Sequence, residues 1–177
     1  MFGHCLVKIN SSYAFLAGGQ SSVGNRGSEA AYLFSETEGF VRQADMSTTR
    51  MSHSCGLIAG GLIIVAGGRI TNHDEALNST EIFNLSTSTW ETGPALPLAT
   101  SAAAMISDNA GTFLIGGSTK GQKTVQWDKT IHKLVGSENS SYSWLEVGEM
   151  SKGRRDFSGT KLNLTDAECE GWRQNVL

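Results

Sequence analysis

Apolar residues run along this chain in short bursts separated by clusters of glycine, asparagine, serine and threonine, and no stretch keeps the spacing of a helix face. Three bursts close on a glycine pair: Tyr13 to Ala17 before Gly18-Gly19, Leu62 to Ala66 before Gly67-Gly68, and Thr112 to Ile115 before Gly116-Gly117. The first glycines of successive pairs are 49 residues apart both times, as are His4 and His53, and Phe34 and Phe83; Phe40, Trp90 and Trp144 follow at 50 and 54. A repeat of about 50 residues is therefore written into the chain. In its second copy the pattern predicts four short strands, at about His53 to Ala59, Leu62 to Gly68, Ser79 to Ser86 and Thr89 to Leu96. Gly60-Gly61 predicts a tight turn between the first two, because glycine reaches positive φ without steric cost. Asn10-Ser11-Ser12 and Asn109-Ala110-Gly111 take the matching turns in the other copies.

The strand from Leu62 to Ala66 is apolar on both faces, whereas a sheet with one wet face would alternate. Each sheet must then be covered above and below. Four-stranded sheets stacked face to face around an axis meet that demand, which predicts an all-β chain built as a β-propeller. Ile64 and Leu114 must share a packed layer if neighbouring units shield one another.

The motifs are similar to those of kelch-repeat proteins. The second repeat carries Arg50-Met51-Ser52-His53-Ser54, then Gly67-Gly68, Glu81-Ile82-Phe83 and Trp90. The first carries His4, Gly18-Gly19, Tyr32-Leu33-Phe34 and Phe40 in place of Trp; the third carries Gly116-Gly117, Val125-Gln126-Trp127-Asp128 and Trp144. Ala99 stands where the third repeat is expected to open with Arg, and residues 133–141 read as an insertion lengthening the link between its third and fourth strands. The resemblance implies an incomplete kelch-type propeller over residues 1–163. Its repeats span about 1–49, 50–98 and 99–153, with the first strand of a fourth at 154–163 and a C-terminal tail at 164–177. Arg154 to Gly159 restarts the opening pattern without a later glycine pair, and Met1 takes the place of an opening Arg. Three blades and a fragment do not close a ring of four to eight, so the expectation is a piece of a larger propeller with open, self-associating edges.

Composition narrows the functions. Charged residues make up 18% and the formal net charge is −3, with no block of like charge, so no nucleic-acid or anionic-lipid footprint is present. The nearly uncharged run from Cys55 to Gly68 is 14 residues, short of a membrane span. Met1 to His4 shows no basic stretch leading into an apolar core, so no export signal is visible. Cys5, Cys55 and Cys169 lie in no Cys-x-x-Cys pattern and cannot all pair within one chain, which supports neither a disulfide framework nor a zinc cage and leaves at least one thiol free or paired elsewhere.

No catalytic, metal or cofactor residue is expected. Copper radical oxidases share a kelch-like propeller, but Tyr13, Tyr32, Tyr142, His4, His53, His73 and His132 form no compact ligand cluster in the sequence. Gln122 separates Gly121 from Lys123-Thr124 and breaks a phosphate loop, and no Gly-x-Ser-x-Gly elbow occurs. His4, His53, Trp90, Trp144 and the glycine pairs read as structural repeat positions. The expected function is a non-enzymatic protein-binding module of unknown partner. Arg50, Arg154 and Arg155 are its candidate contacts, since guanidinium grips carboxylates in a fork, and the loops Gln20 to Gly27 and Arg69 to Leu77 complete the surface. Asn-x-Ser/Thr sequences at Asn10, Asn78, Asn84, Asn139 and Asn163 outnumber the roughly two expected by chance in a Ser/Thr-rich chain, which favours an exported glycoprotein over an intracellular location. The alternatives are such an ectodomain propeller for adhesion or carbohydrate contact, and the remnant of an oxidase of the galactose oxidase type.

Overall fold

The computed structural model describes residues 3–20, 25–119, 126–137 and 140–157. These residues form three antiparallel four-stranded sheets, each a meander in chain order. The first blade comprises β1 (Cys5–Lys8), β2 (Tyr13–Ala17), β3 (Ala31–Ser35) and β4 (Gly39–Arg42). The second comprises β5 (Ser54–Ile58), β6 (Leu62–Ala66), β7 (Thr80–Asn84) and β8 (Thr89–Thr92). The third comprises β9 (Ala104–Asp108), β10 (Gly111–Ser118), β11 (Trp127–Ser137) and β12 (Ser140–Glu149). The leading strands β1, β5 and β9 neighbour one another and form the inner edge of the arc. The architecture is all-β, an incomplete propeller of three described blades. Among the described residues no helix is long and apolar enough to cross a membrane.

The two-faced strand explains the stacking. In β6, Ile63 and Val65 pack with Phe15, Ala17 and Phe83 between the first and second blades. Leu62, Ile64 and Ala66 pack with Leu114, Leu134 and Trp144 between the second and third. Every residue of β6 is buried. Full burial of each large aliphatic side chain contributes about 1.5–3 kcal/mol, so the two interfaces are the main source of cohesion. An isolated blade would leave both of these layers wet.

Four local expectations change. Ile58 pairs with Leu62, so the turn has three residues, Ala59-Gly60-Gly61, with both glycines at positive φ. Residues 133–141 do not lengthen a loop. Most of them extend β11 and β12, which pair as far as Ser137 and Ser140. Trp127 is not the aromatic of the third strand. It pairs with Ser118 at the start of β11 and is exposed, while Leu134 sits opposite Trp144 as Phe83 sits opposite Trp90. The third repeat opens at Thr100 and not Ala99, because the Gly68 N–H bonds the Thr100 carbonyl as the Gly19 N–H bonds that of Arg50.

The cysteine reading is corrected as well: Cys5 and Cys55 form a disulfide across 50 residues, with Cα atoms 5.9 Å apart. Alternation along the inner strands accounts for it. Cys5 pairs with Ala17 as Ser54 pairs with Ala66, and both Cys5 and Ser54 face the following blade. Cys55, one residue later, faces back. The bridge thus staples the first blade to the second, whereas Cys169 lies outside the described residues. Closing a loop of this length is worth about 4 kcal/mol in the chain-entropy account. Alkylation of the denatured, unreduced protein is expected to label one thiol, rising to three after reduction, and reduction is expected to lower the midpoint of thermal unfolding. Three labelled thiols before reduction would exclude the staple.

Candidate functional site

Each glycine pair ends a second strand at positive φ, with 60° and 94° at Gly18-Gly19, 66° and 93° at Gly67-Gly68, and 61° and 108° at Gly116-Gly117. This left-handed turn aims the second N–H at the opening carbonyl of the next repeat. Gly19 donates to Arg50 at 2.9 Å, Gly68 to Thr100 at 2.9 Å, and Gly117 to Arg154 at 2.7 Å. A Cβ on the first glycine would strike that same carbonyl oxygen, so glycine is required for conformation and for space. A second series runs beside it: Ser52 donates to Gly3, Ala102 to Ser52, and Asp156 to Ala102.

Arg50, expected at the recognition surface, is fully buried. Its Nε and Nη2 donate to Glu81 Oε1 at 3.2 and 2.9 Å, Nη1 donates to the carbonyls of Gly67 and Ser79, and Nη2 also donates to Ser79 Oγ. Glu81 accepts further from the Ser47 and Thr48 N–H groups of the preceding linker. All five guanidinium hydrogens are occupied inside one blade, so no partner can reach them, and Arg50 is an organising residue. Burial lowers its pKa from the ordinary arginine value, opposed by the hydrogen bonds and charge of Glu81. Arg154 and Arg155 are exposed, and Arg155 Nε lies 3.3 Å from Asp156.

The other expected positions divide by blade. Trp90 Nε1 donates to the Ala44 carbonyl and Trp144 Nε1 to that of Pro94, so each indole ties its blade to the linker before it. His53 is buried, while His4, in the first blade, is exposed. Asn10 is exposed on its turn, its Oδ1 accepting from the Ser12 and Tyr13 N–H groups. Asn78 is exposed beside β7, and Asn84 is half-buried and caps the turn through Ser86 and Thr87. Asn139 and Asn163 lie outside the described residues. The four histidines are not brought together: His53 sits at the first interface, His73 on an exposed loop, and His132 in β11 of the third blade.

Of the cations at the loop-bearing mouth of the arc, Arg155 is an expected contact, and Arg69 enters the sequence reading only as the first residue of the loop Arg69 to Leu77. Arg69 directly follows Gly67-Gly68, which puts it at the inner end of the second blade, bridged to Met51. Its Nε donates to Ser101 Oγ at 2.8 Å and its Nη2 approaches Ser118 Oγ at 3.4 Å, both in the third blade. Partial burial lowers its pKa from the ordinary value; the nearby Arg155 charge adds to this and Asp156 opposes it. The glycine pair was the signal that locates Arg69. Beside it, loop 69–77 meets loop 20–27 through the Arg26 to Thr71 bridge and the bond from Asn72 Nδ2 to Gln20 Oε1. At the hairpin-turn end, a groove of about 810 Å³ opens along the inner strands, lined by residues such as Leu6, Lys8, Leu57, Met105 and Asp108. It gathers one basic and one acidic side chain and no cation cluster.

His53 makes the fold sensitive to acid. Its Nε2 meets the Ala17 carbonyl at 3.1 Å, which requires the proton on Nε2 and leaves Nδ1 bare and without a partner. Burial, reinforced by the Arg50 charge, pushes its pKa down to about 3. The unfolded chain therefore takes up this proton first as the pH falls below about 6.5. Stability is fully present above that pH and is lost by up to about 1.4 kcal/mol per pH unit as pH falls towards 3. Denaturant titrations between pH 6.5 and 4.5 are expected to show a shallower loss for His53→Gln than for the parent; equal slopes would remove His53 from the acid response.

Comparison with known proteins agrees with this geometry. A model of the Kelch motif matches residues 50–97, the blade that holds the Arg50 and Glu81 pair. A search of curated proteins finds no match. The solved structure of YjhT is similar in fold at 15% identity and a TM-score of 0.69, over 86% of this chain and 53% of that one, so this chain spans about half the length of YjhT. The recurring geometry lies in the glycine pairs, the inter-blade layers and the opening carbonyls, and residues 50–97 match the Kelch motif within an incomplete kelch-type β-propeller.

Proposed function

We propose that this chain is a non-enzymatic protein-binding module, and that its recognition surface is the mouth formed by Arg69, Arg155, residues 25–27 and the loop 69–77; residues 21–24 of the expected loop lie outside the described residues. The observation that carries the reading is the half-buried Arg69 guanidinium, held by the hydroxyls of Ser101 and Ser118 within range of the charge of the exposed Arg155, on a scaffold held rigid by blade stacking. A half-buried guanidinium whose bonds to Ser101 and Ser118 hold it in place is pre-oriented for a forked contact with a carboxylate. An Asp or Glu side chain of a protein partner has that chemistry. Arg50 plays no direct part, and its removal would act through stability. Quantitative affinity capture is expected to lose its specific partners about tenfold or more in Arg69→Ala and Arg155→Ala, at the scale of an interface hot spot. Arg42→Ala, which removes an exposed pair with Asp45 on β4, is the control expected to leave capture unchanged. Partner sets identical among the three variants would refute the mouth as the surface.

A second reading, an exported glycoprotein propeller, is supported by the Cys5–Cys55 bridge and by Asn10 and Asn78 lying exposed. Disulfides of this kind persist in oxidising compartments. Expression of the chain behind a secretory leader is expected to give species whose mass falls on treatment with an N-glycosidase, and Asn10→Gln is expected to remove one step. A single unmodified mass would count against this reading.

A further inference from the structure

The fold leaves Trp127 without a structural role. The N–H groups of Arg50, Thr100 and Arg154 donate to the carbonyls of Ser28, Leu77 and Asp128, so these three acceptors hold one place in successive repeats. The residues just before them are Gly27, Ala76 and Trp127. A Cβ on Gly27 would strike the backbone of Arg50 and Met51, and Ala76 is buried, so the repeat asks for a small residue here. In the third blade the place is taken by an indole that is 58% exposed. Gly153 leaves the space for it. A Cβ on Gly153 would meet the Trp127 carbonyl and Cβ, and the matching residues of the other repeats are Thr49 and Ala99.

This indole stands among the arginines of the mouth. Trp127 pairs with Ser118 and Ser118 is bridged to Ser101, which sets the three side chains in a row on one side of the sheet. Arg69 lies along that row, with Nε on Ser101 Oγ at 2.8 Å and Nη2 approaching Ser118 Oγ at 3.4 Å. Directly paired side chains are about 5 Å apart, so the indole is the next group beyond the guanidinium. Arg155 follows Gly153 by two residues, and its charge acts on Arg69. An indole face ordinarily attracts cations, but the two guanidinium groups repel a cationic ligand from this one. An uncharged aromatic ring stacks there without that penalty.

We propose that Arg69 and Trp127 form a two-point subsite for an extended segment of a protein partner, in which an Asp or Glu contacts Arg69 and an aromatic residue two places along stacks on Trp127. The subsite rests on the mouth being the recognition surface and specifies what that surface reads. In an extended segment, adjacent side chains point to opposite faces, while residues two apart share a face at a spacing of about 6.5–7 Å. That spacing suits the step from the guanidinium, over Ser118, to the indole. Trp and Arg are also the side chains that most often anchor protein interfaces.

The test uses the full 177-residue chain and short synthetic Gly/Ser peptides that carry Glu and Tyr two places apart, in either order. The comparison peptides carry Glu with Ala, Glu with Lys, or Gln with Tyr at the same two places. Binding titrations are expected to favour the Glu and Tyr peptide, in one of its orders, about fivefold over each comparison. Trp127→Ala, which installs the residue of the second blade, is expected to lower that peptide to the level of Glu with Ala. It is expected to keep the preference for Glu over Gln and the midpoint of thermal unfolding. Trp127→Phe, which retains a ring, is expected to keep most of the Tyr preference, and Arg69→Ala is expected to remove the preference for Glu over Gln. A parent chain without that acid preference would overturn the mouth as the surface and the subsite with it. An acid preference with no Tyr preference, or a Tyr preference that survives Trp127→Ala, would overturn the subsite alone. Tighter binding of a uronate oligosaccharide than of any peptide would also overturn it, assigning the subsite to carbohydrate.

Discussion

The arc depends on one hydrogen bond repeated three times, from the second N–H of a glycine pair to the opening carbonyl of the following repeat. The bond exists only because the strand ends in two left-handed residues and because no Cβ fills the space into which that carbonyl projects. It fixes where the next inner strand starts. That position in turn decides which side chains of the next sheet meet the apolar face already in place, so backbone geometry at six glycines sets the packing of both interior layers.

The second blade adds a charged hub to this frame. Removing a guanidinium and a carboxylate from water costs several kcal/mol per ion, a cost offset only where geometry and hydrogen bonding are complete. Arg50 and Glu81 meet that condition, with every donor of the one used and both oxygens of the other accepting. The pair joins the opening segment, the end of β6, the edge of β7 and the linker from the first blade. Such a hub specifies one arrangement of four chain segments, which apolar contact alone does not.

The proposal that the mouth is a recognition surface rests on rigidity at the interfaces. The Cys5–Cys55 bridge, the Trp90 and Trp144 bonds to preceding linkers and the buried His53 all cross between blades or between a blade and a linker. Arg69 is then held by hydroxyls of a neighbouring blade, which limits its side-chain freedom before any contact is made.

The repeat period, the glycine pairs and the two-faced Leu62 to Ala66 strand were enough to read the blades and their stacking from the chain alone, because these depend on local conformation and on the periodicity of burial. The fate of individual polar groups was not legible in the same way. Arg50 looked like a surface contact because Glu81, which buries it, lies 31 residues away. Cys5 and Cys55 looked unpaired because they occupy successive, not equivalent, places in the repeat, and only the opposed facing of two adjacent inner strands brings them together. Arg69 bears no motif of its own, and only the turn after Gly68 carries it to the mouth beside Arg155. Sequence determined where strands begin, end and hide their apolar sides, since each residue carries that information itself; tertiary structure decided which charges and thiols meet, since those distances arise only when separate blades close upon one another.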